Sequence, residues 1–83
     1  MNSSTTPEFR ARFRALPLPI RALAKKSYRL WRDNPRHPSV QFKKVGEYWS
    51  VRIGDHYRAL GRYRGDTLYW FWIGTHEEYN KLV

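Results

Sequence analysis

The segment YWSVRIGDHYRALGRYRGDTLYWFWIGT, residues 48–75, decides the fold. Apolar and polar residues alternate along it with a period of two, which indicates half-buried β-strands. Gly54-Asp55-His56 and Gly65-Asp66 interrupt the alternation, and connections this short join antiparallel neighbours. We therefore predict four strands, counting one before the Gly46-Glu47 turn, at residues 40–45, 48–53, 57–64 and 67–73.

Helical patterns flank these strands on both sides. We predict a first helix at residues 7–16, with Pro7 in its first turn, and an amphipathic, basic second helix at residues 19–32. Thr75 and Glu78 have the spacing of a capping box, which predicts a short helix at residues 75–82. The sequence thus predicts an α+β fold: two N-terminal helices packed on a twisted antiparallel sheet of about four strands, with a short C-terminal helix.

The two turns also determine which side chains share a face of the sheet. A three-residue loop at residues 54–56 places Arg52 opposite Arg58, and a two-residue turn at residues 65–66 places Arg58 opposite Ile73. We expect the helices to cover an apolar face made of Trp49, Val51, Ile53, Tyr57, Ala59, Tyr63, Leu68, Trp70 and Trp72. The opposite face is basic and aromatic, with Tyr48, Ser50, Arg52, Arg58, Leu60, Arg62, Tyr69, Phe71 and Ile73.

Composition limits the classes of function. Eighty-three residues suffice for one small domain spanning residues 1–83, of which residues 1–6 are polar and expected to fray. A net charge of +9 favours a polyanionic partner, such as nucleic acid or an acidic protein, over a solvated surface without a partner. The chain has no cysteine, which fits a reducing, cytoplasmic location. No apolar stretch approaches the roughly 18 residues that span a bilayer, so we expect no membrane association.

Arg52 and Arg58 are the first candidate functional residues. Like charges directly across a strand pair destabilise a sheet, and an anion between them removes that cost. Phosphate is the natural anion, because a guanidinium group offers it two parallel donors. Two solvated arginines, or one arginine paired with Asp55 or Glu77, would produce the same pattern.

The C-terminal segment supplies the second pair of candidates. The capping box explains Thr75 and Glu78 without any function, but it does not explain His76 and Tyr79. These two lie three residues apart on one helix face, at the end of the strand that pairs with the strand carrying Arg58. They can therefore approach the arginine pair. Alternatively, His76 is a surface residue and Tyr79 only packs the tail onto the sheet. The three histidines of the chain are scattered, so we expect no metal site and no cofactor.

Two strings in this chain resemble the RelE/ParE superfamily of toxin–antitoxin toxins. The first is Arg52-Ile53-Gly54-Asp55-His56-Tyr57-Arg58, and the second is Ile73-Gly74-Thr75-His76-Glu77-Glu78-Tyr79. The resemblance covers about residues 9–82 and is strongest over residues 39–80. It implies a small α+β fold and an acidic antitoxin partner, through which oligomers can form. In RelE-like members it implies ribosome-dependent cleavage of mRNA.

The resemblance also implies roles for individual residues. Arg58 matches the arginine that contacts the scissile phosphate, Arg52 matches a basic residue on the preceding strand, and His76 and Tyr79 match functional positions after the last strand. These four are the expected catalytic residues. Lys43 and Lys44 match basic residues that grip RNA. Arg62 lies on the same predicted face and is the third expected RNA-binding residue.

Some features depart from the family or leave the function open. Family members usually begin with a strand, but residues 1–8 are polar and contain proline, so we expect that strand to be missing. ParE-like members share the fold and act on DNA gyrase, so the fold alone does not determine the target. The leading expectation is an mRNA endonuclease that inhibits translation. The alternatives are a gyrase inhibitor, or an inactive module that binds RNA or a partner protein.

Overall fold

The computed structural model describes residues 2–83, which form one five-stranded sheet and three helices. The elements in chain order are β1 (Asn2–Thr5), α1 (Pro7–Arg14), α2 (Leu18–Asp33), β2 (Lys43–Val45), β3 (Tyr48–Ile53), β4 (Tyr57–Arg64), β5 (Thr67–Thr75) and α3 (His76–Leu82). The strand order is β1-β5-β4-β3-β2. The pairs among β2 to β5 are antiparallel, and β1 is parallel to β5. The predicted α+β class and the arrangement of helices around the sheet are confirmed.

The N-terminal strand that we expected to be missing is present, so that prediction is wrong. Asn2–Thr5 pair with β5 from Thr67 to Trp70, and the Thr6 amide donates to the Trp70 carbonyl oxygen at 3.0 Å. A polar strand is tolerated here because β1 is at the edge of the sheet, where one of its sides remains accessible to water. The segment expected to fray therefore contains a paired strand, while Met1 lies outside the described residues.

The strand β2 is shorter than predicted. The sequence predicts a strand over residues 40–45, whereas β2 contains only Lys43–Val45. Gln41 has a φ of 42°, in the left-handed region, and this interrupts the extended conformation before the strand begins. Val40 is fully buried, and its carbonyl oxygen still accepts a hydrogen bond from the Arg52 amide at 2.7 Å.

The β3–β4 hairpin has the predicted register. Its loop contains three residues, so Arg52 lies directly opposite Arg58. At the following turn Tyr63 lies opposite Leu68, the register that the predicted two-residue turn at residues 65–66 requires. The two arginines therefore share one face of the sheet, as the loop length requires.

A bulge in β5 was not predicted. Gly61 pairs with Trp70, but the preceding Leu60 pairs with Trp72, which leaves Phe71 as an extra residue on β5. Glycine permits this arrangement, because a Cβ at position 61 would lie 2.9 Å from the Trp70 ring. The ladder beyond the bulge is shifted by one residue.

This shift corrects the predicted faces at the C-terminal end of β5. Arg58 lies opposite Gly74 and not opposite Ile73. Ile73 packs in the core beneath α1 and α2, whereas Trp72 packs on the other face. The bulge thus directs a tryptophan toward α3 and gives that helix an apolar surface on which to pack.

The sheet consequently has a core on each of its faces. The larger core lies beneath α1 and α2 and is centred on Trp31, which contacts Phe42 and Trp70 edge-on at centroid distances of 5.5 and 5.3 Å. The smaller core lies beneath α3 and contains Leu60, Trp72 and Tyr79. We call the surface of the sheet beneath α3 the α3 face, and it is the face that carries Arg52 and Arg58.

Candidate active site at the β3–β4 turn

The turn after β3 brings the two arginines to one backbone oxygen. Arg52 donates from Nε to the Gly54 carbonyl oxygen at 2.9 Å, and Arg58 donates to the same oxygen at 3.4 Å. Arg58 also donates to the carbonyl oxygen of Tyr57 at 2.7 Å. Gly54 therefore holds both guanidinium groups at the same end of the α3 face.

The two arginines differ in their charge partners. Arg52 forms an ion pair with Asp55, which is one of the non-catalytic arrangements considered from the sequence. Arg58 forms no ion pair with any of residues 2–83, and its hydrogen bonds go to neutral carbonyl groups. Partial burial, followed by the nearby charge of Arg52, lowers the pKa of Arg58 from its ordinary value. An anion at Arg58 would oppose both effects, because it stabilises the charged guanidinium group.

The start of α3 adds the imidazole of His76 and the phenol of Tyr79 to the end of the α3 face that holds Arg52 and Arg58. We call this end of the face the corner. The His76 amide donates to the His56 carbonyl oxygen at 2.7 Å, which ties the first residue of α3 to the β3–β4 turn. The rings of His76 and Tyr79 are in contact, with centroids 5.9 Å apart. Tyr79 also lies near enough to Arg58 to affect its pKa. The structure therefore brings together all four expected catalytic residues.

The capping box at the start of α3 is present and keeps His76 in place. The Glu78 amide donates to the Thr75 hydroxyl at 3.2 Å, and the Thr75 amide donates back to the Glu78 carboxylate at 3.0 Å. The second of these bonds, together with the bond from the Thr75 hydroxyl, lowers the pKa of Glu78 from its ordinary value of 4.5. The cap thus fixes the helix end that carries the imidazole.

A lowered carboxyl pKa makes the stability of the protein depend on pH. The carboxylate of Glu78 stabilises the folded protein above the pKa of the unfolded chain, and this contribution is lost as pH falls through the folded-state pKa. We expect Glu78→Ala to lower the thermal midpoint most above pH 4.5, with the difference from wild type narrowing in more acidic buffer. Thermal unfolding at several pH values measures this. The assignment of this effect to the capping box would be contradicted if the difference in thermal midpoint stayed constant with pH. It would also be contradicted if Glu78→Ala lowered the midpoint equally in a Thr75→Ala background.

Gly54 is required at the turn for two reasons. Its φ is +61°, and a Cβ would lie 2.6 Å from Leu23 Cδ2 in α2. We expect Gly54→Ala to lower the free energy of unfolding by about 1–2 kcal/mol from the backbone conformation alone, with a further loss from the contact with Leu23. The substitution should also reduce the activity of the site, because it moves the Gly54 carbonyl oxygen that accepts hydrogen bonds from both arginines. Gly46→Ala is the matched control, since Gly46 has a φ of +62° and no atom within 4 Å of its Cβ position. Equal losses of stability and activity in the two variants would contradict this role for Gly54.

The expected RNA-binding residues lie in two different places. Lys43 pairs with Ser50 and so projects toward the α3 face, whereas Lys44 pairs with Trp49 and projects toward the opposite face. Arg62 is exposed on the α3 face, with its guanidinium carbon 6.0 Å from the centre of the Phe71 ring. Lys43 and Arg62 therefore share a face with Arg58, and Lys44 does not.

Sequence reasoning did not identify Arg12. This residue of α1 reaches Trp72, with its guanidinium carbon 5.5 Å from the ring centre, and its charge contributes to the lowered pKa of Glu78. It links α1 to the core beneath Tyr79. Its position depends on the bulge that turns Trp72 toward α3, so the sequence pattern contained no direct signal for it.

Residues 2–83 contain neither a metal-binding cluster nor a membrane-spanning helix. Within that range no group of three histidine, aspartate or glutamate side chains is placed to hold a metal ion. No helix there is long and apolar enough to cross a membrane. The functional groups that meet at the corner are guanidinium, imidazole and phenol.

Comparison with solved structures identifies the fold. A chain of the RelB–RelE antitoxin–toxin complex from Methanococcus jannaschii is 17% identical, with a TM-score of 0.71 over 94% of this chain and 95% of the other. The YoeB/ParE toxin from Agrobacterium tumefaciens is 16% identical, with a TM-score of 0.70 over 92% of this chain and 99% of that toxin. The isolated Escherichia coli RelE toxin is 14% identical, with a TM-score of 0.66 over 98% and 93% of the two chains. At these identities the similarity shows a shared fold.

Sequence comparison identifies the family. No curated protein matches the chain at a significant level. A family model described as the ParE-like toxin domain matches residues 19–81, which include nearly all of α2, the strands β2 to β5 and nearly all of α3. The chain therefore belongs to the ParE-like toxin domain family, within the RelE/ParE superfamily that its sequence resembles.

Proposed function

We propose that the chain is a single-domain toxin of a type II toxin–antitoxin system and cleaves ribosome-bound mRNA in the cytoplasm. The observation that carries the proposal is the corner at which Arg58, which has no ion pair among residues 2–83, lies beside Tyr79 and His76. Cleavage of RNA through its own 2′-hydroxyl needs such a set: a cation for the phosphate, one proton acceptor and one proton donor.

The proposed reaction uses these groups in one displacement. The 2′-oxygen attacks the adjacent phosphorus and forms a new P–O bond, while the bond from phosphorus to the 5′-oxygen breaks. One proton leaves the 2′-hydroxyl and one is supplied to the 5′-oxygen, and His76 and Tyr79 are the carriers. Arg58 stabilises the charge that develops on the phosphorane oxygens, and Arg52 holds the turn in place through Gly54 and Asp55.

The burial of Tyr79 restricts its role. Its side chain is only 7% exposed and packs against Leu60 and Trp72. A ring in this position cannot stack on a nucleotide while α3 stays in place. The arrangement therefore supports a role for the Tyr79 hydroxyl in proton transfer over the stacking role considered from the sequence.

The RNA path that we propose follows the α3 face. Arg62 is four residues from Arg58 along β4, roughly 14 Å away at about 3.4 Å per residue. Lys43 lies on the same face of the edge strand β2, so the two cations continue the positive surface away from the corner. Lys44, on the other face, is assigned to ribosomal RNA contacts together with the basic surface of α2.

An acidic antitoxin is the proposed protein partner. Two of the solved relatives come from RelB–RelE complexes, one archaeal and one from E. coli, in which the toxin is bound to its antitoxin. A chain with a net charge of +9 would attract a partner of opposite charge. Larger assemblies would then form through the antitoxin.

Cell-free translation with added protein tests the proposed function. We expect translation to stop, and primer extension along the mRNA to show new ends that require ribosomes. Unaffected translation with no new ends would reject the proposal. An inactive RNA-binding module would instead show RNA affinity that falls steeply with salt but no cleavage product.

Gyrase inhibition is the second candidate function, because the matching family model is described as ParE-like. It would need no proton carriers at the corner, so variants of His76 should retain toxicity. Assays of DNA supercoiling and of gyrase-linked DNA breaks, run beside the translation assay, separate the two functions. Breaks in DNA with intact mRNA would favour gyrase as the target.

A further inference from the structure

Arg12 is an exposed residue of α1 whose side chain reaches the core on the other face of the sheet. The helix α1 packs Phe9 and Phe13 against the larger core. The Arg12 guanidinium carbon nevertheless lies 5.5 Å from the centre of the Trp72 ring, which belongs to the smaller core beneath α3. Arg12 therefore connects a helix on one face of the sheet to the core on the opposite face.

The edge of the sheet allows this connection. The strand β1 pairs with β5 only from Thr67 to Trp70, so the outer edge of β5 beyond Trp70 has no neighbouring strand among residues 2–83. The helix α1 begins directly after β1 and packs on β5. A long side chain on α1 can pass round this edge and lay its apolar stem along the sheet, with its charged end at the α3 face.

The ring that Arg12 contacts supports the corner from beneath. Trp72 is 6% exposed and packs against Tyr79. A Cβ added to Gly74 would lie 2.6 Å from Trp72 Cζ2, so the ring occupies the space beside Gly74, which is the residue opposite Arg58. The ring thus lies against both the helix residue and the strand position that bring Tyr79 and Arg58 together. A shift of the ring would move Tyr79 relative to Arg58.

Arg12 also acts on the start of α3 through its charge. The Glu78 carboxylate closes the capping box by accepting hydrogen bonds from Thr75. After these hydrogen bonds, the positive charge of Arg12 is a further cause of the lowered pKa of Glu78. A cation is attracted to the face of a tryptophan ring as well. Arg12 is therefore attracted both to the first turn of α3 and to the ring on which α3 packs.

We propose that Arg12 is a positioning residue for the candidate active site: its guanidinium group fixes the Trp72 ring, on which Tyr79 packs, and thereby fixes α3 at the corner. Arg12 acts through Trp72 and takes no part in proton transfer or in binding the phosphate. The proposal rests on the proposed function only for the reaction by which the effect on activity is measured.

Hydrogen exchange of the backbone amides of α3 tests the proposal without reference to any reaction. We expect Arg12→Ala to speed exchange of the amides of residues 80–83 by about two- to fivefold, the range for loss of one exposed cation–π contact. Arg14→Ala is the matched control, because Arg14 is an exposed arginine of the same helix that lies on a different side of it. Unchanged exchange in Arg12→Ala, or equal acceleration in Arg14→Ala, would overturn the proposal.

Two further variants show whether Arg12 acts through the ring. Arg12→Lys keeps a cation that can reach Trp72 and should recover part of the protection of α3. In a Trp72→Leu background the aromatic face is absent, so Arg12→Ala should speed exchange less than it does in the wild type. An undiminished effect of Arg12→Ala in that background would show that Arg12 does not act through Trp72.

The kinetics of mRNA cleavage test the consequence for the site. We expect Arg12→Ala to lower kcat about three- to tenfold and to leave the KM for ribosome-bound mRNA within about twofold, because α3 moves while the RNA contacts remain. A raised KM with unchanged kcat would overturn the proposal in favour of direct contact between Arg12 and RNA. Faster exchange with unchanged kcat and KM would also overturn the positioning role.

These measurements keep the failure of this proposal separate from failure of the proposed function. If the wild-type protein does not cleave mRNA, the ribonuclease function is rejected, and the exchange rates still decide whether Arg12 fixes α3. If the wild type cleaves and Arg12→Ala matches Arg14→Ala in exchange and in kcat, only the role of Arg12 is rejected.

Discussion

Replacing Arg58 with alanine is expected to slow mRNA cleavage by about 10²–10³-fold while leaving the protein folded. The reason is the position of Arg58: its guanidinium group has no ion pair among residues 2–83 and lies at the corner shared with Tyr79. Loss of this cation removes charge stabilisation in the transition state. Cleavage of a defined mRNA on purified ribosomes, measured at saturating toxin, gives the rate.

Two variants make this result specific to Arg58. Arg36→Ala removes the same charge from an exposed position and should leave the rate within a few-fold of wild type. Arg58→Lys keeps the charge but loses the planar donor group, so it should recover only part of the activity. If Arg58→Ala cleaves as fast as Arg36→Ala, the arginine does not act on the phosphate.

Replacing Trp31 with alanine is expected to cost about 3–5 kcal/mol of stability. Trp31 is 1% exposed and makes ring contacts with Tyr28, Phe42 and Trp70, so its removal leaves a large cavity at the centre of the main core. A small domain has only about 5–15 kcal/mol in total. Denaturant unfolding followed by circular dichroism measures the loss.

Leu18→Ala is the matched control for Trp31. Leu18 belongs to the same helix and is 70% exposed, so its truncation should change the free energy of unfolding by less than about 0.5 kcal/mol. Similar losses in the two variants would mean that α2 is held to the sheet by contacts other than those of the tryptophan.

Local signals were sufficient to predict most of the fold. The lengths of the two turns placed Arg52 opposite Arg58, and the spacing of Thr75 and Glu78 predicted the start of α3. These predictions depend on neighbouring residues only. The strand β1 could not be predicted in this way, because Asn2–Thr5 are polar and become a strand only by pairing with β5, more than 60 residues away.

The unpredicted bulge in β5 is the reason why two residues were assigned to the wrong faces of the sheet. An isolated glycine within a strand pattern is a known signal for a bulge, and Gly61 lies opposite the irregularity. A strict alternation nevertheless placed Trp72 with the main core and Ile73 opposite Arg58. The extra residue is evident in the register of the β4–β5 pair and in the close approach of the Trp70 ring to Gly61.

The sequence predicted which residues meet at the candidate site, but it did not predict how they contact one another. The sequence brought Arg52, Arg58, His76 and Tyr79 together, because the hairpin and the C-terminal helix meet at one end of the sheet. It did not show that Gly54 holds both arginines through one oxygen. Nor did it decide between an ion pair and an anion site: Arg52 has the ion pair, and Arg58 has none among residues 2–83.

The most direct test of the proposed chemistry is an mRNA that carries a single 2′-deoxynucleotide at the cleaved position. Cleavage by attack of the 2′-oxygen predicts that the wild-type protein leaves this mRNA intact on the ribosome, while cutting the unmodified mRNA to give a 5′-hydroxyl end. Cleavage of the deoxy-substituted mRNA at an undiminished rate would contradict 2′-oxygen attack at the corner of Arg58, His76 and Tyr79.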